Sequence, residues 1–432
     1  MNYTEARVYL DEVSKYGSVL GLESMRELLS RLGDPQDSLK FIHISGTNGK
    51  GSVLAYLSTI LSGAGYRTGR YLSPTLFSYR ERIQVDGAYI EKESLARHVT
   101  AIAEAAEDMK AKGLAGPTAF EIETALAFLY FQEKNCDIVT LEVGMGGALD
   151  ATNVIRTPVL EVIASISMDH MDCLGDTLEK IARQKAGIIK PNTRVASAAQ
   201  QPDAARVIAE VCGDNHCPCR TVDPAQITDV RYGCVSQSFS YKNWKDVTIH
   251  LAGSYQLLNA ALALEAVEAL REGGYALSDR QVYDGLANTV WRGRFTLLRT
   301  DPAVIIDGAH NPGAAQELRR SLELYFPGKK LHYIMGMFKD KDYEQVIRLT
   351  APLAEHIITV ETPNNPRALP AEALRDAVAQ VNPSVEAAGS IPEAVQKTLD
   401  RADKEDAVII FGSLSFLGEA EKAVQQGGKD HG

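Results

Sequence analysis

Ile44–Ser52 reads ISGTNGKGS. The β-branched run Lys40–Ser45 (KFIHIS) before it predicts a strand. Ser52–Leu61 (SVLAYLSTIL) after it predicts a helix, with Val53, Leu54, Leu57, Ile60 and Leu61 at helical spacing. Gly63 and Gly65 end that helix. A glycine-rich turn from strand to helix is the setting of a phosphate loop. Glycines let backbone N–H groups turn around phosphate oxygens, and the helix N-terminus adds partial positive charge. Lys50 would then meet the β- and γ-phosphates, and the Ser52 hydroxyl a Mg²⁺ ion. The general pattern G-x4-G-K-[ST] is not fully met. Ile44 stands where its first glycine belongs, and Gly51 separates Lys50 from Ser52. On spacing alone, a turn that binds nothing stays open.

Outward from this loop the alternation continues. Phe120–Gln132 predicts a helix, and Asp137–Val143 (DIVTLEV) and Glu161–Ser167 (EVIASIS) predict buried strands. Strands alternating with helices indicate an α/β fold, whose ligands bind beyond the carboxyl ends of the strands. The strand pattern weakens between about 200 and 250, before a long helix at Gln256–Glu272. Past Trp291–Thr300 a second alternation begins. Its strands are Ala303–Asp307, Leu331–Met335, His356–Val360 and Ala407–Phe411, with helices such as Ala314–Tyr325 between them. We expect an N-terminal phosphate-loop ATPase-like domain with a mostly parallel sheet over 1–293. A smaller, Rossmann-like α/β domain is expected over 294–432.

Composition narrows the function. In 432 residues, 45% are hydrophobic and 23% charged, the balance of a globular protein with more than one core. A net charge of −11 argues against nonspecific nucleic-acid binding, which needs a basic face. It leaves room for a local basic pocket. The opening MNYTEARVYLDEVSKYG lacks a signal pattern, and no apolar run reaches the ~18 residues of a membrane span. The expected location is cytoplasmic, with no membrane partner. Six cysteines in so long a chain are no disulfide framework. Cys212, Cys217 and Cys219 crowd His216 in CGDNHCPC, which reads as a surface turn of reduced thiols rather than zinc ligands in separated pairs.

Three further residues carry chemistry. Glu142 ends an apolar strand, where a carboxylate is costly to bury without a partner; it is either a turn acid or a Mg²⁺ ligand. His170 follows Asp169 beyond the third strand and is either structural or a metal ligand. Lys185 alone reads as a solvated helix lysine.

The string GTNGKGS resembles the shortened phosphate loop of the Mur-ligase superfamily, ATP-dependent amide ligases that include the folylpolyglutamate and dihydrofolate synthases. The likeness runs through most of the chain, in order. It covers Tyr71–Gly87 (YLSPTLFSYRERIQVDG), the block Phe120–Asn153 and Asp169–Lys190 (DHMDCLGDTLEKIARQKAGIIK). It continues through GSYQLLNA (Gly253–Ala260), RGRF (Arg292–Phe295), DGAHNP (Asp307–Pro312), DKD (Asp340–Asp342) and FGSLSFLGE (Phe411–Glu419).

That resemblance implies roles. ATP would be held by Gly46, Thr47, Asn48, Gly49, Lys50, Gly51 and Ser52, with Asn259, Arg294 and Asp307. Ser73, Glu142 and His170 would hold Mg²⁺, with Lys50, His170 and Lys185 as the catalytic set. Lys185 would react with CO₂ to become a carbamate, which requires a neutral amine and so a lowered pKa. The pterin end of a folate or dihydropteroate would meet Thr118, Ala119, Phe120, Glu121, Leu149, Asp150 and Ala151, with Arg82 near an anionic tail. His310 and Asn311 would touch the nucleotide or the incoming L-glutamate. The implied reaction activates a carboxylate as an acyl phosphate, which the glutamate amine attacks. The implied enzyme is a monomer, and the second domain closes over the nucleotide.

Three positions depart from the family pattern. Thr75 replaces a histidine in SPHL, Ala148 replaces an arginine in GGRLD, and Arg292 replaces the proline of PGR. They bear on specificity more than on reaction type. The rival readings are another Mur-type amide ligase, a phosphate-loop ATPase doing conformational work, and a small-molecule kinase.

Overall fold

Strand β1 (Phe41–Ser45) is buried along its whole length, as a parallel strand covered on both faces must be. Ile42 and Ile44 point into one core, with Val53 and Leu57 of the helix Lys50–Gly63 and Leu262 of the helix Gln256–Glu272. Phe41 points into the other, edge-on to Phe128 of the helix Ala119–Glu133. The two-residue period of a strand thus sorts one short run into two cores. The computed structural model describes residues 1–14, 21–363 and 365–427.

Around β1 lie β2 (Thr68–Tyr71), β3 (Ile83–Val85), β4 (Ala88–Tyr89), β5 (Ile138–Glu142), β6 (Pro158–Ile163), β7 (Val195–Ser197) and β8 (Cys219–Thr221). Their order is β4-β3-β2-β5-β1-β6-β7-β8. Only the β2–β3 and β3–β4 pairs are antiparallel. Because β5 and β6 pair with opposite edges of β1, chain connections leave it in both directions, and a crevice opens at its carboxyl end.

The interval from 200 to 250, where the sequence pattern fades, holds the helix Pro202–Asp214, then β8. An antiparallel sheet follows, of β9 (Ile227–Arg231), β10 (Gln237–Tyr241) and β11 (Trp244–Ile249). Only one face of β11 is covered: Trp244, Val247 and Ile249 are buried, while Lys245, Asp246 and Thr248 are exposed. Such strands lack the continuous apolar runs of β1 and β5. Cys212 and Cys217 correct the expectation of a thiol-bearing surface turn. Both are buried in the core beside Val195 and Ile208, and only Cys219 of the three is exposed.

A second sheet follows: β12 (Thr296–Thr300), β13 (Ala303–Asp307), β14 (Leu331–Met335), β15 (His356–Thr359), β16 (Val385–Ala387) and β17 (Ala407–Phe411). Its order is β12-β13-β17-β14-β15-β16, parallel except for β12. Ile305 faces a core with Leu318 and Val346, whereas Val304 and Ile306 face one with Ile391 and Leu417. The α/β class expected from sequence is the class observed, with this smaller sheet also covered on both faces. No helix among the described residues is long and apolar enough to cross a membrane.

Candidate active site

The carboxyl ends of β1, β5, β6 and β13 face one cleft of about 620 Å³. The loop Gly46–Ser52 forms its floor. Gly49 caps the following helix at φ +88, a conformation that favours glycine, and a Cβ there would fall 2.5 Å from Asn259 Oδ1. Gly51, the residue that breaks the general phosphate-loop pattern, has a packing cause: its Cβ would lie 2.6 Å from the Trp291 ring. Lys50 Nζ folds back to donate to the carbonyls of Gly46 at 3.1 Å and Thr47 at 3.3 Å.

Strand β6 ends at Ile163, four residues short of its predicted end. Past it the chain turns to hold the loop: the Ser165 carbonyl accepts from the N–H groups of Thr47 (2.8 Å) and Asn48 (3.1 Å). The Ser167 carbonyl accepts from Thr47 Oγ1 at 3.0 Å.

Glu142 sits at the end of β5 and is 5% exposed. Burial raises its pKa, although Lys50, with Nζ 4.0 Å away, pulls the other way. Among the described residues, its carboxylate accepts one close hydrogen bond, from the Ser73 N–H at 3.3 Å. A buried carboxylate with so few donors is a poor structural element and a good cation ligand. Ser73 and His170 line the same cleft. Among the described residues no three His, Cys, Asp or Glu side chains converge as a metal-binding group. A cation here would draw on one carboxylate, one imidazole, a hydroxyl and the oxygens of its substrate.

Lys185 is not the solvated lysine its helix position suggests. It is buried, and its Nζ donates to the Gly46 carbonyl at 2.9 Å. Burial, reinforced by Lys50, lowers its pKa to about 7. About half of the amine is therefore in the neutral form near neutral pH.

The second sheet closes the cleft. Arg294 lies across Gly308, whose Cβ would sit 2.3 Å from the guanidinium. Asp307 is buried and accepts from Tyr255 Oη, Phe295 N and Ala309 N. His310 donates from Nδ1 to the Gly308 carbonyl at 2.8 Å; burial and then Lys341 lower its pKa to about 4. The ring is neutral at pH 7, with its other nitrogen 3.8 Å from Asp169.

Sequence reasoning gave no role to Lys341, from the DKD segment. It is almost fully buried, with Nζ 2.8 Å from Asp169 and 3.2 Å from His170 Nε2. Burial opposes ionisation of Asp169, but Lys341, His170 and His310 outweigh it and hold the acid well below the usual range.

The residues expected at the pterin end are not in the lining of this cleft; they stand directly behind it. The Phe120 ring covers Gly144, which lines it, at 2.5 Å from where a Cβ would be. Asp150 accepts from the N–H of Met145, another lining residue, at 2.8 Å. Thr118 and Glu121 form the capping box of the helix Ala119–Glu133, Ala119 opens that helix, and Leu149 and Ala151 flank Asp150. Arg82 reaches the cleft while paired with Glu123 at 3.1 Å.

The departures from family pattern also have places. Ala148 packs against Gly187, and its N–H donates to the Gln184 carbonyl at 2.9 Å. Arg292 is committed elsewhere, 3.1 Å from Glu421 and over the Phe77 ring.

Comparison with known proteins places the chain in a family. Residues 44–267 match the Mur ligase middle domain, and residues 293–414 match the Mur ligase glutamate ligase domain. The chain is 35% identical to the dihydrofolate synthase/folylpolyglutamate synthase of Bacillus subtilis, over 98% of its own length and 99% of the relative's. The crystal structure of folylpolyglutamate synthase from Mycobacterium tuberculosis, complexed with ADP and AMPPCP, superposes with a TM-score of 0.89. That pair is 30% identical over 98% of this chain and 99% of the other. The enzyme from Thermotoga maritima superposes with a TM-score of 0.83 at 33% identity, over 98% and 97% of the two chains.

Proposed function

Since the chain belongs to the Mur ligase family, in its folylpolyglutamate/dihydrofolate synthase branch, we propose that its cleft carries out ATP-driven addition of L-glutamate to folates and to dihydropteroate. The family reaction is ATP-dependent ligation, and the ligase assignment applies to the whole chain. The observation that carries the residue-level reading is one cleft lined by the phosphate loop, Glu142, His170, Lys185, Arg294 and His310.

In this reading Gly46–Ser52 holds the triphosphate through backbone N–H groups, and Lys50 swings from the Gly46 and Thr47 carbonyls to the β- and γ-phosphates. Asn259, Arg294 and Asp307 hold the rest of the nucleotide. The substrate carboxylate attacks the γ-phosphorus and displaces ADP, giving an acyl phosphate. The glutamate amine then attacks the acyl carbon and expels phosphate. Neutral His310 faces the second step and can accept the amine's proton. Positioning and charge stabilisation supply most of the acceleration.

Ser73, Glu142 and His170 would hold Mg²⁺, which supplies positive charge against the phosphoryl oxygens when bound. Under-partnered, buried Glu142 supports this set. Lys185 becomes a carbamate, supported by its burial and lowered pKa. Thr118–Glu121 and Leu149–Ala151 take the pterin behind Gly144 and Met145, and Arg82 meets the anionic tail. We place the functional division at 1–293 and 294–432, with the second part closing over the nucleotide. The protein works as a cytoplasmic monomer without nucleic-acid or membrane partners.

The test is ADP release from Mg-ATP with dihydropteroate or tetrahydrofolate, with and without L-glutamate, and product masses read in parallel. Each pterin should gain one glutamyl unit. Turnover with tetrahydrofolate alone would restrict the enzyme to tail extension. ATP hydrolysis indifferent to both additions would remove the residue-level reading.

A further inference from the structure

Asn311 has no hydrogen-bonding capacity left for a ligand. It is 1% exposed. Its Oδ1 accepts from the Ala314 N–H at 2.9 Å and from Asn48 Nδ2 at 3.2 Å. Its Nδ2 donates to Asn48 Oδ1 at 3.2 Å and to Asp169 Oδ2 at 3.0 Å. Two lone pairs and two amide hydrogens are the whole inventory of an asparagine side chain. Asn48 belongs to the phosphate loop and is anchored on its far side, where Nδ2 donates to Ser167 Oγ at 3.2 Å. Asp169 lies beyond β6 and also receives Lys341, from the loop after β14, at 2.8 Å. Two separate loops of the second sheet therefore converge on one carboxylate of the first. One of them also forms a reciprocal amide pair with the phosphate loop. The seam is tight beside it: a Cβ on Gly313 would fall 2.7 Å from Ser167 Oγ.

We infer that Asn311 is a positioning residue, the clasp through which Asn48 and Asp169 hold the second sheet over the phosphate loop in the arrangement that transfers the phosphoryl group. It touches neither nucleotide nor glutamate. Its loss opens the cleft and slows the chemistry rather than weakening nucleotide contact.

The test uses the full chain and Asn311→Asp, which keeps the shape but replaces the donating amide with an acceptor facing Asp169. Three quantities are read: compactness by small-angle scattering with and without ADP, ADP affinity by calorimetry, and kcat. We expect a more extended particle, a kcat lowered at least about tenfold, and an ADP Kd changed less than about threefold. Asp169→Asn combined with Asn311→Asp lets donor and acceptor trade places across the same contact, and should restore compactness and much of kcat. Asn311→Ser removes both amide bonds without adding charge and should show the same split if the aspartate variant folds poorly. The inference is overturned if ADP affinity falls in step with kcat while the particle stays compact, if the exchanged pair is no better than Asn311→Asp, or if no quantity moves. Only the kcat arm rests on the ligase reading; scattering and ADP binding test the clasp without it.

Discussion

Lys185 Nζ donates to the Gly46 carbonyl at 2.9 Å, so the buried amine of the helix Leu178–Ala186 and the first glycine of the phosphate loop form one contact. A proton on that amine is disfavoured by burial and by Lys50, which brings its pKa to about 7. The amine is about nine-tenths protonated one unit below that value and about nine-tenths neutral one unit above it. Only the neutral amine adds CO₂. Bicarbonate should therefore activate the enzyme increasingly as pH rises through about 7, and intact-protein mass should show a gain of one CO₂. Lys185→Ala should lose at least about a hundredfold in kcat, partly restored by acetate or formate. Failure of both the mass gain and the rescue removes the carbamate.

Gly51→Ala places a methyl group 2.6 Å from the Trp291 ring, too close for either to stay put. Overpacking of this kind costs about 1–3 kcal/mol. We expect KM for ATP to rise about 5- to 50-fold, with a change in the fluorescence of Trp291. Trp291→Ala in the same chain should return most of the ATP affinity. An unrelieved double variant would place the defect in the loop itself.

Glu142→Gln should separate function from stability. Burial raises the pKa of this acid, so the unfolded chain ionises it more readily and the folded chain is penalised above the unfolded pKa. The neutral amide removes that penalty. At pH 7 the variant should gain on the order of 1 kcal/mol, read as a higher Tm, while ADP release falls at least about a hundredfold. A lower Tm would show that the carboxylate is structurally required.

Thr152→Val tests support for the pterin side. Thr152 Oγ1 donates to Asp150 Oδ1 at 2.5 Å and contacts His43 Nε2 at 2.9 Å. The other His43 nitrogen has no partner among the described residues, and burial lowers the ring's pKa to about 3. Leaving more of this buried set unsatisfied should cost about 1–3 kcal/mol in urea unfolding. KM for dihydropteroate should rise while KM for ATP holds. Equal shifts in both would refute a link confined to the pterin side.

Legibility from sequence followed burial. Ala303–Asp307, Leu331–Met335 and Ala407–Phe411 were readable to the residue because each is apolar and covered on both faces. The strands β9 to β11 were not: β9 has no fully buried residue, β10 (QSFSY) buries polar Gln237 and Ser240 among its aromatics, and β11 is covered on one face only. Glu161–Ser167 reads as one strand, but β6 stops at Ile163, after which the backbone bonds the phosphate loop instead of a neighbouring strand. Lys341 between two aspartates looks like solvated charge, and only the meeting of two sheets buries it against Asp169. Thr118 and Glu121 did carry a local signal: T-x-x-E before an apolar helix is a capping box, and the helix uses it as one.

Trp291 packs on Gly51, Arg292 pairs with Glu421, and Arg294 lies across Gly308, all within four consecutive residues. Between them Gly293 turns at φ +77. Module exchange between relatives is constrained by this. A chimera could join foreign halves only where each anchor keeps its own partner: Trp291 must travel with the phosphate loop, and Arg292 and Arg294 with the second sheet and its last helix. The one seam that respects all three falls between Trp291 and Arg292, two residues ahead of the functional division after 293. A linker lengthened there by a single residue would leave both halves folded yet out of step with each other.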